Sequence, residues 1–207
     1  TDLEECGIDD FLEMSSVGST DNVSIIVLFD RHYDYDTSYD NWNDTKLFYV
    51  TKSMTPNASN AVADWGERNM GDPQTIVDLV LWAFQNYPAE HYAVILWDHG
   101  GGLMGACIDD TDGDSLNLYE IKEAFEAIYN ATGRKIDIVG FDACLMGMMD
   151  VVYMLRDYVD YVVFSEEYEP GDGWPYDEIL SVLVSNPLMS PADLAKLIVQ
   201  KYIESYN

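Results

Sequence analysis

The sequence predicts an α/β fold built on a mostly parallel sheet with helices on both faces, and three observations predict it. Five short runs rich in Val, Ile, Leu, Phe and Tyr are apolar without strict alternation, the mark of strands buried on both faces. Between them lie stretches with apolar residues at helical spacing. The 207 residues, 48% of them hydrophobic, supply one sizeable core but are thin for two equal ones, so a single domain over 1–207 is the expectation.

The chain opens directly in a helical pattern over residues 3–14. Residues 23–29 and 47–51 read as the first two strands, with the polar, aromatic-rich RHYDYDTSYDNWNDTK between them as a long hairpin-like excursion or a lid. Pro73 suits a first helical turn, and Ile76, Val77, Val80, Leu81 and Phe84 follow as an apolar stripe. Residues 92–97 make the third strand. Leu118, Ile121, Phe125 and Ile128 mark the next helix and residues 136–141 the fourth strand. A further helix, carrying Leu145, Met148, Met149, Val152 and Leu155, is expected to begin near Cys144. Residues 158–164 complete the strands, YEPGDGWPY is a cluster of turns, and residues 192–206 form a closing helix. Helical patterns run into both ends, so the chain reads as a piece of something larger.

Thirty-eight Asp and Glu against ten Lys and Arg leave a formal net charge of -28. Such a surface repels phosphate backbones, which argues against nucleic acid as a partner, and it attracts cations. The same charge also serves as a solvated face in salty or extracellular surroundings. Cys6, Cys107 and Cys144 leave at least one thiol unpaired, so disulfides do not staple this fold; Cys6 and Cys107 read as free and structural. No stretch reaches the roughly 18 to 20 apolar residues of a membrane span. Zinc-type Cys and His spacing and a Walker lysine are both missing.

Two strand ends are chemically loaded. In an open parallel sheet, the loops at the carboxyl ends of neighbouring strands face one crevice. AVILWDHGGG ends one strand in Asp98-His99-Gly100, and IDIVGFDAC ends another in Asp142-Ala143-Cys144. A thiol needs its proton removed or a positive environment, and a nearby imidazole can keep the thiolate competent and then protonate the departing amine. Glycine after His99 lets a bare N–H approach a substrate carbonyl, and the N–H groups of Gly100 and Cys144 together make an oxyanion hole. That is a cysteine acyl-transfer site.

With VGSTDNVSIIVLFDR, DIVGFDACLMGMMDV and SEEYEPGDGWPY, these motifs resemble the clostripain family of cysteine peptidases over nearly the whole chain. The resemblance implies a caspase-like three-layer sandwich, shared with gingipains and legumains. It also implies a cysteine endopeptidase working through a thioester acyl-enzyme, with His99 as base and acid, Cys144 as nucleophile, and no cofactor for the chemistry. Family members cut after basic residues, so the implied partner is a protein or peptide with Arg at the cut, Lys being the weaker choice. Asp142 then matches the acid at the base of the first substrate pocket, where it would receive a guanidinium. Its alternative role is to cap the helix that follows. Asp172, in PGDGW, is either a second acceptor or a turn-forming acid.

Calcium is the one ion the resemblance brings in, because the family's namesake depends on it. Residues 109–120 place Asp110, Asp112 and Asp114 at alternate positions, but Ser115 stands where an EF-hand has glycine and Glu120 comes one place early. An EF-hand is not expected, and no calcium ligands are assigned. A secreted or cell-surface location follows from the same resemblance. The family also has a strand before the opening helix, sequence beyond Asn207, and a self-cleavage site after a basic residue between the two motifs. No Lys or Arg lies between His99 and Lys122, which leaves Lys122, Arg134 or Lys135, or no cut at all. The rival reading is a catalytically silent binding or adhesion module of a larger surface protein; the intact His99 and Cys144 count against it.

Overall fold

Strand and helix succeed one another largely as the apolar patterns require in the computed structural model, which describes residues 1–207. The first half contains α1 (Glu4–Val17), β1 (Ile26–Asp30), β2 (Thr45–Tyr49), β3 (Ala63–Gly66), α2 (Pro73–Asn86) and β4 (Ala93–Trp97). Then come β5 (Ala106–Asp109), β6 (Asp114–Leu116), α3 (Leu118–Thr132), β7 (Ile136–Asp142), α4 (Met149–Leu155), β8 (Val159–Val163), α5 (Tyr176–Ser185) and α6 (Pro191–Ser205). The chain gathers into two units, residues 1–68 with 171–207 and residues 69–170. No helix is long and apolar enough to cross a membrane.

In the first unit β1, β2 and β3 form an antiparallel sheet with β2 in the middle. The excursion between β1 and β2 is thus a true hairpin connection. Arg31 pins it from inside: its buried guanidinium meets Glu4 at 2.6 Å and donates to the carbonyls of Asp36 and Ser38, at 2.9 and 3.1 Å. Glu4 accepts in addition from the His32 N–H, so neither charge is buried uncompensated. Phe11 of α1 packs with Phe48, Val50, Ile25 and Trp42 as the apolar core of this unit.

Glu13 of α1 accepts from the N–H of Tyr176, where α5 starts. Burial and the neighbouring Asp177 push its carboxyl above the usual range. The folded state therefore holds the Glu13 proton more tightly than the unfolded chain does. Stability from this group is full below the unfolded value and falls as pH rises through the raised one. Glu13→Gln keeps an acceptor for Tyr176 and removes that loss. Its melting temperature should exceed the parent's at pH 7.5, and the gain should vanish near pH 4; a gain independent of pH would contradict the assignment.

In the second unit β4, β7 and β8 form a parallel sheet, β7 central. Ile138 and Val139, which point to opposite faces, are both buried, so this strand is covered on both sides, as a continuous apolar run requires. Helix α2 is capped by Asp72 with Pro73 behind it, and α3 by the reciprocal pair Asn117 and Glu120, with left-handed Gly133 ending it. Their stripes, Ile76, Val77 and Val80 with Leu118, Ile121, Phe125 and Ile128, pack into one core with Val139 and Phe141. Strands β3, β5 and β6 and helix α5 were not legible as patterns: the strands have three or four residues each, too few for a period to register.

Candidate active site

Trp97, the last residue of β4, lies in register with Asp142, the last of β7. The ladder runs one step further, since the Asp98 N–H donates to the Asp142 carbonyl at 3.3 Å. His99 and Cys144 therefore leave the carboxyl ends of two directly paired strands. Both tips carry backbone that residues with a side chain rarely adopt: φ is 147° at Asp98 and 63° at Leu145. Such conformations persist where the surroundings over-determine them. At the first tip the Asp98 carboxylate accepts from the Ile108 N–H at 2.6 Å, lashing β5 to the end of β4.

The loop after His99 doubles back along β5. Cys107 N–H donates to the His99 carbonyl and Gly101 N–H to that of Gly105, at 3.1 and 2.9 Å, on either side of a bridge between Gly100 and Ala106. In an antiparallel pair of this kind the bridging residue turns its own N–H away from the partner strand. Gly100 also rests directly on the backbone of Cys144. A side chain there would collide with the Cys144 carbonyl and come within 3.1 Å of its nitrogen and 3.0 Å of the Ala143 Cβ. Glycine is required at position 100 by this approach.

Cys144 is half-buried, and its sulfur lies 3.4 Å from the N–H of Glu169. The expectation that a helix begins near Cys144 does not hold: α4 starts at Met149, with Met148 at its N-cap. The cause is local. Leu145 takes a positive φ, and the N–H groups of Leu145 and Gly147 donate to the carbonyls of Glu167 and Ser165, at 3.1 and 2.6 Å. Residues 144–147 thus run beside the loop that follows β8. What meets the sulfur is the backbone of that loop, the Glu169 N–H at 3.4 Å and its carbonyl at 3.9 Å, and not the end of a helix. Nothing in the sequence pattern pointed to Glu169.

Asp142, only 5% exposed, ends β7 two residues before the cysteine, and capping α4 is closed to it because that helix begins beyond Met148. Asp172 belongs to the other unit. It is exposed there and lines a hollow along α1 with Cys6, Asp9, Asp10, Glu13 and Asp177. The remaining thiols sit in unlike surroundings. Burial holds the Cys107 thiol strongly protonated, while burial together with Asp10, Asp172, Asp9 and Glu5 raises that of Cys6.

The acidic stretch after His99 forms the β5–β6 hairpin. Asp109 accepts from the N–H groups of Met70, Thr111 and Asp112, and Asp114 from Asn69 and Ser115. These carboxylates tie the turn together. Arg134, one candidate for self-cleavage, donates to the carbonyls of Ala89 and Glu90 and lies over the rings of Phe84 and Tyr92.

A model of the clostripain family matches residues 1–207. Clostripain of Hathewaya histolytica is 27% identical over 209 residues, covering 86% of this chain and 39% of that protein. A secreted C11 cysteine protease from Bacteroides thetaiotaomicron, solved with an irreversible peptide inhibitor, superposes with a TM-score of 0.78 at 26% identity. The match takes in 99% of this chain and 55% of that one. An inactive zymogen C11 protease from Parabacteroides distasonis gives 0.70 at 19% identity, over 99% of this chain and 54% of its own, which speaks for the fold alone. The chain is thus of the caspase-like α/β class, and it spans about half or less of the length of these relatives.

Proposed function

The chain belongs to the clostripain family, and from that premise we propose that it is a cysteine endopeptidase that cuts after arginine, with lysine second. One observation carries the reading: Gly100 is pressed onto the backbone of Cys144 at the ends of two paired parallel strands, His99 standing between Asp98 and that glycine. The imidazole of His99 takes the thiol proton, and the sulfur of Cys144 attacks the substrate carbonyl carbon. The oxyanion so formed meets the N–H groups of Gly100 and Cys144. A single such donor is worth about 10²- to 10³-fold in rate. As the tetrahedral species collapses, the carbon–nitrogen bond breaks and the imidazolium gives its proton to the departing amine. Water, deprotonated by His99, then cleaves the thioester and returns the thiol.

Asp142 supplies the charge for the arginine, and its burial supports a place at a pocket floor, where a guanidinium is held more strongly than at an exposed acid. Asp172 is the second acceptor in this reading. A secreted or cell-surface location is supported by the likeness to the secreted protease of Bacteroides thetaiotaomicron. No cofactor enters the chemistry, and calcium has no ligands assigned.

Paired fluorogenic peptides ending in Arg or in Gln test this directly, each with calcium and with chelator. Arginyl turnover should exceed glutaminyl turnover at least about 100-fold, the range of a buried, charge-paired anchor. Equal turnover of the two would reject the specificity, and none of either would reject the peptidase. A rate lost to chelator would show that an ion is needed.

A further inference from the structure

Two segments at the strand tips, residues 100–107 and 143–149, carry no ionised side chain in a chain of net charge -28. They also pack into a shaped surface. The turn at Gly102–Met104 lies beside α4, and Met148 reaches under it so closely that a side chain on Gly102 would strike the Met148 methyl and the Leu145 carbonyl. On this support Leu103, Met104 and Met149 stand 60%, 80% and 79% exposed. Large apolar side chains gathered in the open beside a reactive centre mark a contact surface. Two of the three are methionines, which adapt to varied apolar shapes.

We propose that Leu103, Met104 and Met149 form a ledge that seats the side chain of the substrate residue following the cut, selecting an apolar residue there. The inference rests on the reading of His99 and Cys144 as the catalytic pair. His99 must protonate the departing amine, so the residue that leaves with that amine begins beside the imidazole. Its side chain then extends over the residues that follow His99 in the chain. Those residues are the glycine loop and the Leu103–Met104 turn, flanked by Met149. Specificity on this side is thus set by apolar contact, whereas on the other side it is set by charge.

Quenched-fluorescence peptides differing only after the cut, Arg–Leu, Arg–Gly and Arg–Asp, test the ledge alongside an arginyl aminocoumarin. Partial burial of a leucine side chain should make kcat/KM for Arg–Leu about tenfold higher than for Arg–Gly, with Arg–Asp lowest. Met104→Ser combined with Met149→Ser, both at exposed positions, should bring Arg–Leu down to the Arg–Gly value while Arg–Gly turnover stays unchanged. Equal cleavage of the three peptides by the parent, or a leucine preference that survives the double substitution, would overturn the ledge and leave the peptidase standing. Failure to cleave even the aminocoumarin would overturn the catalytic pair and the ledge with it.

Discussion

Cys144→Ala should fold normally and lose arginyl cleavage by about 10⁴-fold or more, because without the sulfur no acyl-enzyme forms and only binding and the oxyanion donors remain. The structural cost is small, since the sulfur's contacts with the Glu169 backbone are long ones, 3.4 Å to its N–H and 3.9 Å to its carbonyl, and a hydrogen bond contributes about 1 kcal/mol. No other thiol can take over. Cys107 is buried and held protonated by desolvation, and Cys6 is held protonated by burial and a ring of carboxylates. An arginyl chloromethyl ketone at neutral pH should therefore label the parent on Cys144 alone and leave the variant untouched, as read by peptide mass. Label on Cys6 or Cys107, or arginyl turnover retained in the variant, would contradict the assignment of the nucleophile.

How much of this was legible follows from where information about a site is stored. The two strand tips were readable because a buried parallel strand is a continuous apolar run, and its end is marked by the first polar residues and glycines, as in AVILWDHGGG. Pairing of β4 with β7 then brings His99 and Cys144 to one edge, the step that a sequence order of strand, helix, strand already implies. The start of α4 was misplaced because Leu145, Met148, Met149, Val152 and Leu155 do keep helical spacing. That apolar stripe is outvoted at its first turn by Leu145's backbone and by hydrogen bonds to Glu167 and Ser165, residues beyond β8. Tertiary partners of this kind leave no local trace. The same holds for the Glu169 N–H, since any residue but proline supplies one. Glycine was the informative exception: at position 100 the need for a missing side chain is itself written in the sequence.

Asp142→Asn is the sharpest test of specificity, because it removes a charge with almost no change of shape. If the buried carboxylate receives the substrate guanidinium, the exchange leaves that cation facing a neutral amide, and kcat/KM for arginyl peptides should fall by about 10²- to 10³-fold. Glutaminyl peptides lack the cation and should be cut as slowly as before, so the preference itself collapses. Helix capping offers Asp142 no competing role, with α4 beginning at Met149. A merely structural aspartate would behave otherwise: the melting temperature would drop while the ratio of arginyl to glutaminyl turnover stayed where it was. Asp172→Asn calibrates the comparison. Its side chain is exposed, where solvent weakens an ion pair to at most about 1 kcal/mol, so arginyl turnover there should fall only about fivefold. Should Asp172 prove the more costly of the two, the charge that reads the substrate would lie on the loop before α5 and not at the end of β7.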